Sequence, residues 1–362
     1  RRPTPTFFKS GFYLIKLTLN DGTFGFGEPH PYSGNKNEFI DVLNLIFKKI
    51  KKRDIDKIDL INIKKKNFKK INKLCLYSCL AAIDSTISFI KNSKKLKINQ
   101  TNLYASGGMI YKDQSSKILI NEMLSYKEKN FSGWKFRPPS PRNFKNHNDR
   151  IKSPDWINVK KILNTCELLR LKAGSDFDLM LDVGCRCRNF KDIKYLLEGL
   201  NELNFKFVEE PAPRSVISYF QIKNKIKKKP KIAFGECIYS LKDAQIFFKN
   251  KLIDIFQPDV NLLLQEELRL INILSKKYNI DIIPHSWFNI TNFSSNLLFL
   301  NSIKKKNKLI ELNILKNPYE KMFMNNIFSI KKGKISVNKK NFGNIDIDYK
   351  KIKKNKIYET QK

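Results

Sequence analysis

The chain has 362 residues, a formal net charge of +36, and 29% charged against 41% hydrophobic residues. That length supports a large core and about two domains, while the lack of any run of about 18 apolar residues argues against a transmembrane helix. The charge raises nucleic-acid binding as a reading, but Lys falls in short runs such as KKIKKR, KKKNFKK, KIKKKPK, SIKKKNK and KKIKKNK, at helix ends and in loops with few interleaved aromatics. A solvated basic exterior is the preferred reading, so no nucleic acid and no membrane are expected as partners. Such a surface would still attract small acidic substrates.

The first segment, RRPTPTFFKSGFYLIKL, lacks the apolar core and small-residue cleavage site of a signal peptide. It opens on Arg1 rather than Met, which leaves room for an upstream piece. Next, GFYLIKLTLNDGTFGFGEP reads as two antiparallel strands around an Asn20-Asp21-Gly22 turn. Helical patterns follow, including LCLYSCLAAIDSTISFI, in which Cys75 and Cys79 share one face as core residues. The other cysteines are Cys166, Cys185, Cys187 and Cys237. None forms a zinc-type C-x-x-C pair, and the usage fits a reducing, cytoplasmic setting. Residues 1–98 are expected to form an α+β unit.

From about residue 100 the chain alternates short β-rich runs with amphipathic helical stretches. The runs are NLYASGG, GWKFR, FDLMLDV, FKFVEEP, KIAFGE, DIFQPDV, DIIPHSW and KLIELN. Such alternation predicts parallel βα units, and eight runs predict a barrel over 99–318. The tail, 319–362, contains the strand-like IFSIKKGKISV and is expected to pack back on the N-terminal unit.

The strand ends carry the chemistry. Asp182, Glu209 and Glu236 close three successive runs at equal intervals of 27 positions. On a barrel this gathers three carboxylates at the C-terminal rim, where barrel active sites lie. They would repel one another unless a cation sat among them, and hard oxygen donors suit Mg²⁺. One strand-end acid on its own is commonly just a solvated end; three at one spacing are not. Side chains alternate along a strand, so Glu209 faces inward with Phe207 and Phe205, while Glu210 faces the other way and needs a base behind the strand. Asp259 and His285 end the next two runs, 26 positions apart. An Asp bonded to an imidazole fixes its tautomer and makes it a competent general base. Lys135 and Arg137 in GWKFR point inward together, and Glu311 in LIELN is a further inward candidate.

These pieces together resemble the enolase superfamily, and within it the mandelate racemase subgroup. The resemblance rests on DGTFGFGEP, AAID, GWKFR, LMLDV, FVEEP, FGE, QPDV, PHSW and IEL, in order over nearly the whole chain. It implies an α/β architecture, a (β/α)7β TIM-like barrel, with an α+β capping domain built from the N-terminal region and the C-terminal tail. It implies Mg²⁺ held by Asp182, Glu209 and Glu236, a His285–Asp259 dyad, and Glu311 on the substrate carboxylate. It also implies a specificity loop, GEPHPYSG, in which His30 and Tyr32 touch substrate. The family habit implies a homo-oligomer, a dimer or an octamer.

Two departures bear on the reaction. The family's second-strand motif is Lys-x-Lys with the second Lys a base, whereas Arg137 stands there, and Arg is a poor base but a good carboxylate binder. The family's Asn two residues after the first ligand is Gly184 here. The insert PPSPRNFKNHNDRIKSPDW, 138–156, is a candidate flap or oligomer contact. The expected enzyme is a lyase, a Mg²⁺-dependent acid-sugar dehydratase that removes the proton next to a carboxylate through an enediolate and eliminates the 3-hydroxyl to give a 2-keto-3-deoxy acid. Lys135 and Arg137 would assist catalysis. The rivals are a racemase or epimerase of the same superfamily and a non-catalytic basic nucleic-acid-binding protein.

Overall fold

A computed structural model describes residues 13–51, 53–66, 68–92, 100–108, 115–138, 158–287, 290–304, 308–314, 327–337 and 348. The chain begins with β1 (Ile15–Thr18) and β2 (Phe24–Gly27), paired antiparallel with Ile15 opposite Gly27. The turn between them has Gly22 at φ +83° and Asp21 Oδ1 accepting from the Thr23 N–H at 2.9 Å. Helix α1 (Lys36–Ile50) starts at a capping box, in which Asn35 accepts from the Asn37 and Glu38 N–H groups and Glu38 accepts from the Asn35 N–H. Its buried face is Phe39, Val42, Ile46 and Ile50, at helical spacing. That face meets α2 (Leu60–Lys65) and α3 (Lys73–Asn92), including Cys75 and Cys79. Gly27 is required where β2 crosses α3, since a Cβ there would lie 2.1 Å from the Ala82 carbonyl oxygen. Although no continuous apolar run marks it, α3 is long and apolar enough on average to cross a membrane; 67% of that stretch is buried inside the protein, as in a core helix.

Among the described residues, eight strands and seven helices then alternate. They are β3 (Thr101–Gly107), α4 (Ser116–Glu128), β4 (Gly133–Phe136), α5 (Val159–Ala173), β5 (Asp178–Asp182), α6 (Phe190–Glu202), β6 (Phe207–Glu209) and α7 (Val216–Lys225). The second half is β7 (Lys231–Phe234), α8 (Leu241–Lys249), β8 (Ile255–Phe256), α9 (Gln265–Tyr278), β9 (Asp281–Ile282), α10 (Ile290–Ser302) and β10 (Leu309–Asn313). Parallel pairings run from β3 in order to β9, and β10 returns to β3. Between β9 and β10 the ring is bridged by Asn313 Nδ2 donating to the Trp287 carbonyl at 2.7 Å and by the Ser286 N–H donating to Glu311 Oε2 at 3.2 Å. Tyr104, Met180, Phe207, Ala233, Ile255 and Ile283 fill the barrel interior. Their alternates, among them Trp134, Phe136, Leu179, Leu181 and Val208, pack under the helices. The architecture is a (β/α)7β TIM-like barrel with an α+β cap.

One hairpin of the tail lies elsewhere than expected. Strands β11 (Phe328–Lys331) and β12 (Lys334–Val337) form a hairpin whose second strand pairs antiparallel with β3, Ile335 opposite Thr101. It joins the barrel sheet rather than β1 and β2. The reason is an open edge: β4 first pairs opposite Tyr104, so the start of β3 lacks a neighbour on that side, and the Leu103 N–H donates to the Gly333 carbonyl. The remainder of 319–362, apart from residue 348, and all of the 138–156 insert except Pro138 lie outside the described residues.

The cap sits on the rim formed by the strand-to-helix loops. Thr291, at the start of α10, donates to Glu28 Oε2 at 2.7 Å. Lys64 pairs with Glu267 at 2.5 Å and donates to the Tyr239 carbonyl at 2.9 Å. Helix α9 begins after Leu264, which has no side-chain acceptor, and Asp84 of α3 takes that role by accepting from the Gln265 N–H at 2.7 Å. Burial pushes the Asp84 carboxyl up to about 6 despite that hydrogen bond. A raised folded-state pKa gives stability that is full below the unfolded value and lost as pH rises through the folded one. Relative to Asp84→Asn, the wild-type protein should therefore gain stability as pH falls from 7 to 5, a difference readable by chemical denaturation at the two pH values.

Candidate active site

Alternation along the strands aims the site. On β4, Trp134 and Phe136 face the helices, so Lys135 faces inward, and Arg137 follows it just beyond the strand end. Asp182 and Glu209 end β5 and β6 as register partners. Gly235, at φ +141°, lets the chain turn after β7 so that Glu236 returns over the rim; a Cβ there would meet the Phe256 ring at 2.6 Å.

Each of these acids meets a cation of the chain. Lys135, 2% exposed, lies 2.5 Å from Glu209 and 2.7 Å from Glu311. Arg137 Nε donates to Asp182 Oδ2 at 2.6 Å. Arg214 Nη2 donates to Glu236 Oε1 at 2.5 Å. Glu210 points away from the barrel interior, fully buried at φ +47°, and Arg214 grips both its oxygens at 2.7 Å. That is the base which the adjacent glutamates of FVEEP require.

His285 Nδ1 lies 3.2 Å from Asp259 Oδ2, and its Nε2 lies 3.4 Å from Glu236 Oε2. Asp259 is fully buried and its other oxygen accepts from the Asn261 N–H at 2.8 Å. From the cap, His30 Nε2 reaches within 3.8 Å of the same Asp259 oxygen. The Tyr32 N–H donates to His30 Nδ1 at 3.2 Å, so neutral His30 carries its proton on the nitrogen facing Asp259. Tyr32 itself is 56% exposed and its ring meets the edge of His30.

The crowding shows in the titration. Burial and the neighbouring acids push Glu209 up to about 7 against the pull of Lys135. Burial and Glu236 push Glu210 up to about 8. Burial opposes the charge on Lys135, but Glu209 and Glu311 outweigh it and hold the ammonium protonated. Burial likewise works against protonated His285, yet Glu236 and the bond to Asp259 raise it to about 10. Burial keeps His30 below the usual imidazole range.

The residues suit a hard divalent cation. Asp182 Oδ1 and Glu209 Oε1 are buried without a hydrogen-bond partner. Six carboxylates (Asp182, Glu209, Glu210, Glu236, Asp259 and Glu311) share this end of the barrel with four fixed cations (Lys135, Arg137, Arg186 and Arg214). A dication held by Glu236 would take away the acid that keeps the proton on His285, and with the imidazole then neutral it would close that balance. Among the described residues, the trio whose donor atoms all lie within 4.8 Å is Glu210, Glu236 and Cys237. Arg214 already neutralises that trio, and burial pushes the Cys237 thiol up, which makes it a poor ligand.

Residues 119–343, more than half of the chain, match the family described as "Enolase C-terminal domain-like". The chain belongs to this family. Solved structures of enolase-superfamily proteins share its fold. A mandelate racemase/muconate lactonizing enzyme-like protein from Roseovarius sp. TM1035 is 16% identical, with 99% of this chain and 95% of that one covered and a TM-score of 0.81. The 3,6-anhydro-D-galactonate cycloisomerase from Zobellia galactanivorans is 19% identical over 95% and 93%, with a TM-score of 0.78. A putative galactarate dehydratase from Agrobacterium radiobacter, bound to Na and L-malate, is 17% identical over 100% and 95%, also at 0.78. At such identities the likeness is one of fold. No curated protein matches the chain at a significant level.

The structure places Lys135, Arg137, Asp182, Glu209, Glu236, Asp259, His285 and Glu311 around one rim, with His30 over it and Tyr32 outside His30, but the donor atoms of Asp182, Glu209 and Glu236 do not all lie within 4.8 Å of one another. Sequence reasoning missed Arg214 and Gln257, whose Nε2 donates to Glu209 Oε2 at 2.9 Å. Gln257 stands two positions before Asp259, and Arg214 four after Glu210; those spacings were the available signals. Removing the buried Lys135 charge as Lys135→Met should cost about 3–5 kcal/mol, because Glu209 and Glu311 are left without it. Adding Glu311→Gln should recover part of that loss in a denaturation double-mutant cycle.

Proposed function

We propose that this protein is a divalent-cation-dependent dehydratase of acid sugars. The observation that carries this reading is an asymmetry across the barrel. The β9 side offers His285, oriented by Asp259. The β4 side offers Lys135 and Arg137, both held as cations. A two-base racemase needs a proton acceptor on each face of the substrate carbon; a cation drawn to Glu236 would release the His285 proton on the β9 side, whereas on β4 Arg137 stays protonated and Lys135 keeps Glu311 as a partner. One base can still run an elimination.

In this reading His285 Nε2 accepts the proton next to the substrate carboxylate. The electron pair of that C–H bond moves into the carboxylate as an enediolate, then returns to form a C2=C3 double bond as the C3–O bond breaks. The same imidazolium returns its proton to the departing hydroxyl, which leaves as water. The enol then tautomerises to a 2-keto-3-deoxy acid. Asp259 keeps the His285 proton on Nδ1 and the reactive nitrogen toward the site. Of the two β4 cations, Arg137, with its side chain 24% exposed, is the one open to bind the substrate or the leaving oxygen. Asp182, Glu209 and Glu236 would hold the divalent cation, Mg²⁺ by donor type, whose positive charge would lower the cost of the negative charge gathering on the carboxylate.

The test is proton NMR of the protein with Mg²⁺ and pooled acid sugars in D₂O. The expected outcome is loss of an α-proton signal together with new 3-deoxy methylene signals. Loss of the α-proton alone, with scrambled configuration, would instead establish an epimerase. His285→Asn should lower turnover by about 10²–10⁴-fold while calorimetry still detects Mg²⁺ binding; undiminished turnover would remove His285 from the reaction.

A further inference from the structure

Each of the three carboxylates assigned above as ligands has one oxygen engaged by a cation of the chain and one directed elsewhere. Asp182 Oδ2 accepts from Arg137, while Oδ1 has no partner. Glu209 Oε2 accepts from Lys135 and Gln257, while Oε1 has no partner. Glu236 Oε1 accepts from Arg214, while Oε2 faces His285 Nε2 at 3.4 Å. The carboxylates therefore cannot turn both oxygens to a common centre without breaking a charge-assisted hydrogen bond.

We propose that Arg137, Lys135 and Arg214 clamp the ligands so that each offers a single oxygen, and that this clamp selects a small six-coordinate cation of the magnesium class over calcium. The inference rests on the ligand assignment made above. The coordination chemistry is direct. Ca²⁺ takes about 6–8 oxygens in flexible geometry and commonly uses both oxygens of a carboxylate, whereas Mg²⁺ requires a near-octahedral set at about 2.0–2.1 Å and keeps water. Three single donors leave three octahedral positions for water and substrate oxygens. Reaching seven or eight ligands from the same residues requires two-oxygen binding, which the clamp opposes.

Arg214 is the most informative member. It lies in the PAPR loop, not on a strand, with its side chain 37% exposed. Its anchor is rigid: the Glu210 N–H donates to the Ala233 carbonyl at 3.0 Å, and the Glu210 carbonyl accepts from the Cys185 N–H at 2.8 Å. A guanidinium can grip both oxygens of Glu210 and still reach Glu236, as it does here. An ammonium has no such fork. Glu210, which contributes no ligand itself, thereby fixes one that does.

The experiment is calorimetric titration of the full chain with Mg²⁺ and, separately, Ca²⁺. The variants are Arg214→Met combined with Glu210→Gln, which frees Glu236 without leaving a buried unpaired carboxylate, and Arg137→Lys, which keeps a charge at Asp182 but removes the fork. The wild-type protein should prefer Mg²⁺. In each variant the preference should shift toward Ca²⁺ by about tenfold, the lower end of the effects seen when groups behind a metal ligand are changed. Arg137→Lys carries the test alone should the double variant fail to fold. A Mg²⁺-to-Ca²⁺ ratio unchanged in the folded variants, or a wild-type protein that binds Ca²⁺ as tightly as Mg²⁺, overturns the clamp and leaves the ligand assignment standing. A wild-type protein that binds neither ion removes the ligand assignment and the clamp with it.

Discussion

Charge crowding at one end of the barrel is the constraint on which the rest depends. Asp182 and Glu209 are register partners on neighbouring strands, and Glu236 and Glu311 stand within reach of the same cations. Buried like charges at this density cannot persist unpaired. The chain answers with three long cations, each entering from a different place: Lys135 from β4, Arg137 from just beyond it, and Arg214 from the loop after β6. What remains negative after that pairing is a pair of free carboxylate oxygens, on Asp182 and Glu209. A structural ion-pair network would have satisfied those atoms too.

The same rim fixes how the cap must sit. Four acids or bases of the N-terminal unit end on the barrel: Glu28 on Thr291, Lys64 on Glu267 and the Tyr239 carbonyl, Asp84 on the first N–H of α9, and His30 beside Asp259. Asp84 substitutes for a side-chain cap that Leu264 cannot provide, so α9 is completed only with the cap in place. Leu264 in turn is buried in the cap's own core. The two units share helix capping, ion pairing and apolar burial on the face where the candidate catalytic groups converge.

Much of this was legible because strand geometry is strict. A period of two separates Glu209 from Glu210, and the equal 27-residue intervals set Asp182, Glu209 and Glu236 at or just past the ends of consecutive strands. Arg214 was not legible. It follows a Pro-Ala-Pro turn, where no period predicts direction, and its significance comes from Glu236, 22 positions further on. His30 was nameable only through the family resemblance, since its contact with Asp259 spans most of the chain. The hairpin of β11 and β12 was legible as strands but not in its destination, because the open edge at the start of β3 exists only once β4 is found to begin opposite Tyr104.

The two departures from the family pattern prove to be one. Gly184 sits at φ +59°, and a Cβ added there would lie 3.6 Å from Arg137 Cζ, from Arg186 Nε and from Asp182 Oδ1. A Cβ alone would be in ordinary contact; a longer side chain would extend into the space around the guanidinium. The loss of a side chain at 184 and the gain of Arg at 137 therefore act on the same volume. Where the resemblance implies a lysine that carries a proton, the chain has a cation that cannot titrate in the working range and that holds one oxygen of Asp182, Oδ2, with two of its nitrogens. On that side of the barrel Arg137 places charge beside Asp182. This is the arrangement that the proposed elimination from His285 would use and that a two-face racemisation would not.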